Sequence, residues 1–213
     1  ILVATHNDLG VLATCHRAAF PNSLSTAMGQ NYVEKMLEWY LVDERAFLFF
    51  LEVDGQCVGY CGGMKNEGTG RIGSASSMIQ HSYNHAVKIF IRRPWLFLHP
   101  EFFPRYKLAA RNVWRRMKKW FGNNEKVVPI ENLQHPESHI GLIVIGVQQK
   151  LQGKGYGSML LQEFERISKD LGFNKMMLTV KSDNVQAIRS YLRNKWIVSK
   201  VEGKSTSMEK AMK

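Results

Sequence analysis

The sequence predicts one domain of the α/β class, in which strands and helices alternate along the chain. Three observations lead to this prediction. The 213 residues are 45% apolar, which suits a single domain whose core needs no cross-links. Apolar residues recur at strand spacing and at helix spacing in turn. Asp54-Gly55 joins two apolar runs, 46–53 and 56–64, and is the strongest short hairpin signal in the chain.

The elements follow in a clear order. A first strand is predicted over about 1–5, then a helix over about 8–19 and a second helix over about 29–41, followed by the hairpin. After Lys65 the periodicity is lost until about His139, so we expect residues 66–136 to be an insertion within a single domain spanning 1–213. The rest is regular: a strand over about 139–147, a glycine-rich turn, a helix over about 155–171, a strand over about 175–180, a helix over about 184–193 and two final strands that meet at Glu202-Gly203.

Cysteine usage and apolar run lengths indicate the cellular setting. Cys15, Cys57 and Cys61 are odd in number, and the last two would lie about 13 Å apart on a strand, too far to form a disulfide or share a metal. This predicts a reducing, cytoplasmic environment. The longest apolar run, Ile140 to Val147, is far shorter than the about 20 residues of a membrane helix. The first five residues are interpreted as a strand rather than a signal peptide, with an upstream native start left open.

The net charge of +11 is concentrated in one segment. Residues 74–121 contain ten Lys and Arg and a single acid, Glu101, and they are rich in aromatic residues. Apolar residues from Tyr106 to Trp120 recur at helical spacing and predict a helix from Pro104. Three interpretations stay open: a solvated helical excursion, a surface for an anionic acceptor or an anionic membrane, and a nucleic-acid surface, which is disfavoured because no binding motif accompanies the charge.

A glycine-rich turn follows the strand that ends at Val147. Glycines at 153, 155 and 157 allow close approach of a ligand, and the helix that begins behind them attracts phosphate. Lys150 and Lys154 add positive charge. A dinucleotide fingerprint would need Gly where Ser158 stands, and a Walker loop before Gly203-Lys204-Ser205 would need Gly where Val198 stands. Both nucleotide motifs are therefore excluded.

The turn has the form Gln152-x-x-Gly155-x-Gly157, and with this motif the chain resembles the GCN5-related N-acetyltransferases, the GNAT superfamily. The stretch from Asn184 to Tyr191 is similar to the Asn-x-x-Ala-x-x-x-Tyr helix of that family. The resemblance is close over about 139–200 and covers 1–64 in outline. It departs at Gln149, where Pro is common, and at 195–196, where Lys-Trp replaces the usual Gly-Phe.

The resemblance implies a fold and a reaction. The fold would be a mixed, mostly antiparallel central sheet, split near the cofactor, flanked by helices and carrying a helical insertion between strands 3 and 4. The reaction would move an acetyl group from acetyl-CoA to the amine of a small acceptor, and the basic insertion favours an anionic one such as a nucleotide-linked amino sugar. The implied cofactor-binding residues are Ile145, Val147, Lys150, Gln152, Gly153, Lys154, Gly155, Tyr156, Gly157, Ser158 and Asn184.

The family pattern also implies catalytic roles. Tyr191 would be the general acid that protonates the thiolate, although a core position is the alternative. Backbone N–H groups near Val147 would stabilise the oxyanion, with a bulge allowed at Gly146. Asn184 would contact pantetheine and can also cap its helix. For the base, His139 and Glu137 are candidates and a water relay is the competing hypothesis.

Other ligands and another class of function were weighed. His81 and His85 are spaced for a metal on a helix, but Ser82 stands where a zinc-protease motif needs Glu, so no metal is expected. The acceptor is expected to meet residues 20–30, the insertion and the turn near Gly203. The alternative is a non-catalytic acyl-CoA sensor that docks on a partner or an anionic membrane through the insertion. A homodimer is compatible with either function.

Overall fold

The computed structural model describes residues 1–68, 74–102 and 138–212. Within these ranges the strands are β1 (Leu2–Val3), β2 (Ala46–Val53), β3 (Gln56–Asn66), β4 (His139–Val147), β5 (Lys175–Lys181), β6 (Ile197–Glu202) and β7 (Ser205–Ala211). The helices are α1 (Leu9–Ala19), α2 (Leu24–Met28), α3 (Gln30–Val42), α4 (Ser74–Arg92), α5 (Tyr156–Asp170) and α6 (Val185–Arg193), with 3₁₀ turns at His6–Asp8, Pro94–Leu98 and Gln149–Leu151.

The described strands form one sheet in the order β1-β2-β3-β4-β5-β7-β6. Neighbouring strands run antiparallel except β4 and β5, which are parallel. The hairpin turns at Asp54 and Gly55, which both have positive φ as a type I′ turn requires. The mixed, mostly antiparallel sheet expected from the sequence is therefore confirmed, and each predicted strand and helix in the described ranges is present.

Helix α2 was not predicted, and α4 was expected only in outline, as part of the helical insertion between strands 3 and 4. Helix α2 has only five residues, too few to show a period. Helix α4 lies in the part of the chain where no helical period was recognised. Its apolar residues are divided between a packed side and an exposed side, which obscures the period. The helix predicted from Pro104 and the candidate base Glu137 lie outside the described residues.

Apolar cores cover both faces of the sheet. Helix α5 packs through Leu160 and Phe164 on one face, called here the α5 face, where Tyr191 of α6 is also buried. Helices α1 and α3 pack on the opposite face, the α1 face, through Leu12 and Leu37. A smaller cluster joins α4 and its following turn to α2. None of the helices in the described ranges has the length and apolarity that crossing a bilayer would require.

Candidate functional site

Strands β4 and β5 separate part of the way along the sheet. They pair only from Ile140 to Leu142 against Met176 to Leu178. Beyond that point β4 stays with β3 as far as Val147, while β5 stays with β7 as far as Lys181. The β3–β4 register shifts between Leu142 and Val144, so Ile143 is the extra residue of a β-bulge. The result is a gap between residues 143–147 of β4 and the end of β5.

The edge of β4 that borders the gap offers backbone hydrogen-bonding groups. The N–H of Gln148 donates to the carbonyl of Val58 on β3 at 3.0 Å. Because hydrogen-bonding directions alternate along a strand, the backbone groups of Gly146 also point to β3, and those of Ile145 and Val147 point into the gap. The side-chain Nε2 of Gln152 reaches the Val147 carbonyl there, at 3.1 Å. A ligand in the gap could therefore pair with Ile145 and Val147 as a strand would.

The glycine-rich turn opens onto free space beside this edge. Gly153 and Gly155 have φ of 80° and 88°, in the left-handed region that favours glycine, and Gly155 is the N-cap of α5. A Cβ on Gly153, Gly155 or Gly157 would meet no atom within 4 Å. The first N–H groups of α5 point into this space without helical acceptors. The first turn of α5 carries no acid, and Lys150 and Lys154 are exposed nearby, so the residues present fit a phosphate group.

Side-chain hydrogen bonds hold the turn against its neighbours. Gln152 donates to the Val147 carbonyl and accepts from Nε2 of Gln186 on α6, at 3.0 Å. Ser158 Oγ accepts from Nδ2 of Asn194 at 3.1 Å. The turn is thus tied both to the end of β4 and to α6.

Tyr191 and Asn184 lie on the helix that contacts the turn. The ring of Tyr191 is buried on the α5 face, 6.0 Å from the ring of Trp196, and its hydroxyl has no hydrogen-bond partner among the described residues. Burial raises the pKa of Tyr191, so its hydroxyl stays protonated at neutral pH. Asn184 is the N-cap of α6, with Oδ1 accepting from the N–H of Ala187 at 3.2 Å. Its amide group is left to donate elsewhere.

His139 is separated from these groups. It is the first residue of β4 and faces Asn66, whose Nδ2 lies 3.4 Å from Nε2 of His139. Val147 follows His139 by eight positions in the chain, which corresponds to about 26 Å along a strand. The structure thus brings together the turn, the end of β4 and α6, and it does not bring His139 to them.

Comparison with known proteins agrees with this arrangement. Residues 111–195 match the family model of the acetyltransferase (GNAT) family, a range that contains β4, the glycine-rich turn, α5, β5 and α6. The chain is thus similar to the acetyltransferase (GNAT) family over 85 of its 213 residues. The match begins inside the segment 66–136, so the boundary of the insertion stays a prediction. No curated protein matches the chain.

Solved structures of acetyltransferases share the fold of this chain. PaiA N-acetyltransferase of Thermoplasma acidophilum, in complex with coenzyme A, has a TM-score of 0.51 at 14% identity, covering 98% of this chain and 95% of its own. A GNAT-family protein of Desulfovibrio desulfuricans has a TM-score of 0.56 at 10% identity, covering 96% and 92%. Ribosomal-protein-alanine N-acetyltransferase of Brucella melitensis has a TM-score of 0.53 at 16% identity, covering both chains fully at 100%.

On the α1 face of the sheet, the turn between α1 and α2 spans the gap between β4 and β5. At one end the Phe20 ring lies on Gly146, where a Cβ would be only 2.7 Å from Phe20 Cε2. Gly146 is therefore needed for close packing, and the bulge expected there lies at Ile143 instead. At the other end Glu101 accepts from the Leu24 N–H at 2.9 Å and from Lys181 Nζ at 3.0 Å. The single acid of the basic segment thus joins α2 to the end of β5.

A buried polar network supports the same turn. His16 is only 5% exposed, and its ring lies 5.1 Å from that of Phe20. Nδ1 is 2.5 Å from the Tyr60 hydroxyl, and Nε2 is 2.8 Å from Oγ of Ser25. Sequence reasoning missed His16, although a signal was present: it lies four residues after Leu12, on the apolar side of α1.

The burial of His16 predicts a specific pH dependence of stability. Desolvation lowers its pKa from 6.5 to about 4. The unfolded chain then binds more protons than the folded one between these values, so stability falls as the pH drops from about 6.5 to about 4 and then levels off. The full effect is about 3 kcal/mol.

Thermal unfolding of wild type and His16→Gln between pH 7.5 and pH 4 would measure this effect. Asp and Glu residues contribute equally to both proteins, and only the wild type carries the His16 contribution. We expect the wild type to lose more stability over the window than the variant. Parallel pH profiles would contradict the assignment of a neutral, buried His16.

The described ranges contain no cluster of metal-binding side chains. No group of three or more His, Cys, Asp or Glu side chains stands close enough there to hold an ion. His81 instead contacts Glu38, with 2.8 Å between Nε2 and Oε2. Burial raises the pKa of the Cys61 thiol, and the three cysteines are free and buried.

Proposed function

We propose that the protein transfers an acetyl group from acetyl-CoA to the amine of a small, anionic acceptor. The observation that carries this proposal is the gap between β4 and β5, where the end of β4 has no strand partner on one edge and an open glycine-rich turn follows it. The reaction needs a site for an extended thioester and access for an amine. The α5 face of the sheet would supply the first and the α1 face the second.

The donor would bind on the α5 face. The N–H groups of the turn from Gly153 to Gly157, with Lys150 and Lys154, are suited to the phosphates of coenzyme A. The backbone of Ile145 and Val147 would pair with the pantetheine arm, and the free amide of Asn184 would donate to it. The structural neighbour that contains coenzyme A supports this binding mode through its shared fold. Tyr156 and Ser158 form the first turn of α5 beside the same space.

Residues at the gap would perform the chemistry. Acetyl-CoA supplies a thioester whose carbonyl carbon accepts the amine nitrogen while the carbon–sulfur bond breaks. The Val147 N–H would donate to the carbonyl oxygen as it gains negative charge. Tyr191, which burial keeps protonated, would give its proton to the leaving sulfur. The proton lost by the amine would pass to water, a route that we favour over His139 because of that residue's position at the far end of β4.

The acceptor would enter from the α1 face. There the turn of residues 20–24, the Glu101 carboxylate and Lys181 border the gap. The described part of the basic segment packs on α2, and the Arg93 guanidinium lies beside Gly29 at the end of α2, so this positive charge is on the side from which the acceptor would approach. This placement supports an anionic acceptor, such as a nucleotide-linked amino sugar.

A thiol-release assay tests the proposal. Purified protein is mixed with acetyl-CoA and, one at a time, with nucleotide-linked amino sugars, free amino sugars, amino acids and polyamines. We expect turnover with an anionic amine, lower activity with its uncharged counterpart, and an acetylated product of matching mass. Tight binding of coenzyme A without turnover on any acceptor would instead favour a non-catalytic sensor.

The remaining proposals concern the domain organisation, the cellular location and the oligomeric state of the protein. A single domain over 1–213 with an insertion at 66–136, a cytoplasmic location and a homodimer all stay proposals. Sedimentation velocity over a range of concentrations would decide the oligomeric state.

A further inference from the structure

Helix α4 is fixed to the domain by one side only. Its buried Ser82 lies on the side that packs against α3, where Ser77 Oγ accepts from Trp39 Nε1 at 3.0 Å. On the same side Ile89 and Phe90 join the cluster formed with α2. This packing orients the helix and leaves its other side in solvent.

The solvent side of α4 is apolar. Ile79, Tyr83, Val87 and Ile91 recur every four residues, so they form one stripe along the helix, and all four are exposed. Trp95 continues the stripe into the following 3₁₀ turn, and Leu98 is also exposed there. Exposure reaches 76% at Ile91 and 61% at Trp95. Large apolar side chains gathered in this way mark a binding surface.

Basic residues border the stripe. Lys88 and Arg92 each follow a stripe residue directly, so they lie about 100° around the helix from it. Both are exposed, and residues 74–100 include no Asp or Glu. The face therefore combines an apolar arc with an adjacent cationic arc.

We propose that this face, called here the α4 stripe, docks on the surface of an anionic lipid bilayer. An apolar arc beside a cationic arc meets both demands of such a surface: side chains for the acyl boundary and positive charge for the head groups. A second copy of the chain would bring the same cationic borders together with no acid to offset them. Residues 103–121 are also basic and contain no Asp or Glu, so this segment would not offset the positive charge beside the stripe either.

Docking by the α4 stripe would place the acceptor side near the membrane. The packed side of α4 contacts α2, and α2 is joined through Glu101 to the end of β5. The α1 face, from which the acceptor is proposed to enter, thus adjoins the docking surface. The docking proposal stands on the stripe itself and does not depend on the proposed reaction.

Vesicle co-sedimentation of the full chain tests the docking. Phosphatidylcholine vesicles are compared with vesicles that also contain phosphatidylglycerol, at low and high salt. We expect binding to the anionic vesicles only, weakened by salt. The double substitution Ile91→Ser with Trp95→Ser should lower the binding constant at least about tenfold, because it removes two apolar anchors. Lys88→Glu with Arg92→Glu should lower it by a similar factor.

Matched variants separate docking from general effects. Val201→Ser and Lys204→Glu change an exposed apolar residue and an exposed cation in the β6–β7 hairpin, and both should bind like wild type. All variants should keep the wild-type melting temperature, since they alter exposed side chains. Three results would overturn the proposal: no binding by the wild type, equal binding to neutral vesicles, or a dimer that the Ile91→Ser, Trp95→Ser variant abolishes.

Discussion

Replacing Tyr191 by Phe is expected to lower kcat about 10²-fold while leaving the Kd for coenzyme A nearly unchanged. The substitution removes one hydroxyl that has no hydrogen-bond partner among the described residues. The ring stays and keeps its packing against Trp196, so the fold should be unaffected. Loss of the acid alone should therefore appear in turnover. Steady-state kinetics and calorimetric titration with coenzyme A would measure both quantities.

Tyr40→Phe is the matched control for this substitution. Tyr40 is also buried, its hydroxyl has no partner in the described part of the chain, and it lies on the opposite face of the sheet. Its replacement should leave kcat unchanged and stability equal or slightly higher. Equal turnover of Tyr191→Phe and wild type would show that Tyr191 is a core residue and that water or another group protonates the thiolate.

Gly157→Asp is expected to raise the Kd for coenzyme A about 10²-fold or more. The new carboxylate would extend into the open space beside the turn, where the phosphates are proposed to lie, and like charges about 4 Å apart repel strongly near a protein surface. The fold should tolerate the change, because Gly157 lies in the first turn of α5 and an acid there interacts favourably with the helix dipole. Calorimetry and thermal unfolding would separate the two effects.

Gln162→Glu serves as the control for charge. It adds the same negative charge to an exposed position of α5, away from the turn, and should leave the Kd unchanged. Wild-type affinity in Gly157→Asp with an intact fold would show that coenzyme A does not bind at the turn. That result would remove the structural basis for the proposed donor site.

Local pattern predicted the position of the glycine-rich turn well. The motif from Gln152 to Gly157 was visible because a turn between a strand and a helix depends on residues close together in sequence. The structure adds why Gln152 stands first in the motif: it bonds the end of β4 and reaches α6 at the same time. Val147 lies 5 residues from Gln152 and Gln186 lies 34 residues from it. Only the contact with Gln186 depends on how distant elements pack.

The contacts on the α1 face, where the acceptor is proposed to enter, could not be predicted in the same way. Phe20 lies on Gly146, Glu101 reaches Lys181 80 residues away, and His16 bonds Tyr60 44 residues away. None of these contacts has a sequence period, since each depends on which elements pack together. His139 shows the reverse case: it is close to the motif in sequence but lies at the far end of β4 in space, so its role as a base stays a prediction.

The sequence by itself determined the fold class, the order of strands and helices in the described ranges, and the glycine-rich turn, because hydrophobic period and glycine placement are local properties. Tertiary structure alone decided where β4 and β5 separate, which face each helix covers, and that one side of α4 remains exposed. The net charge of +11 shows the difference. The sequence places the excess charge in one segment. Only packing shows that Lys88 and Arg92 border an apolar stripe beside the proposed acceptor face, because the partners on the packed side of α4 come from distant parts of the chain.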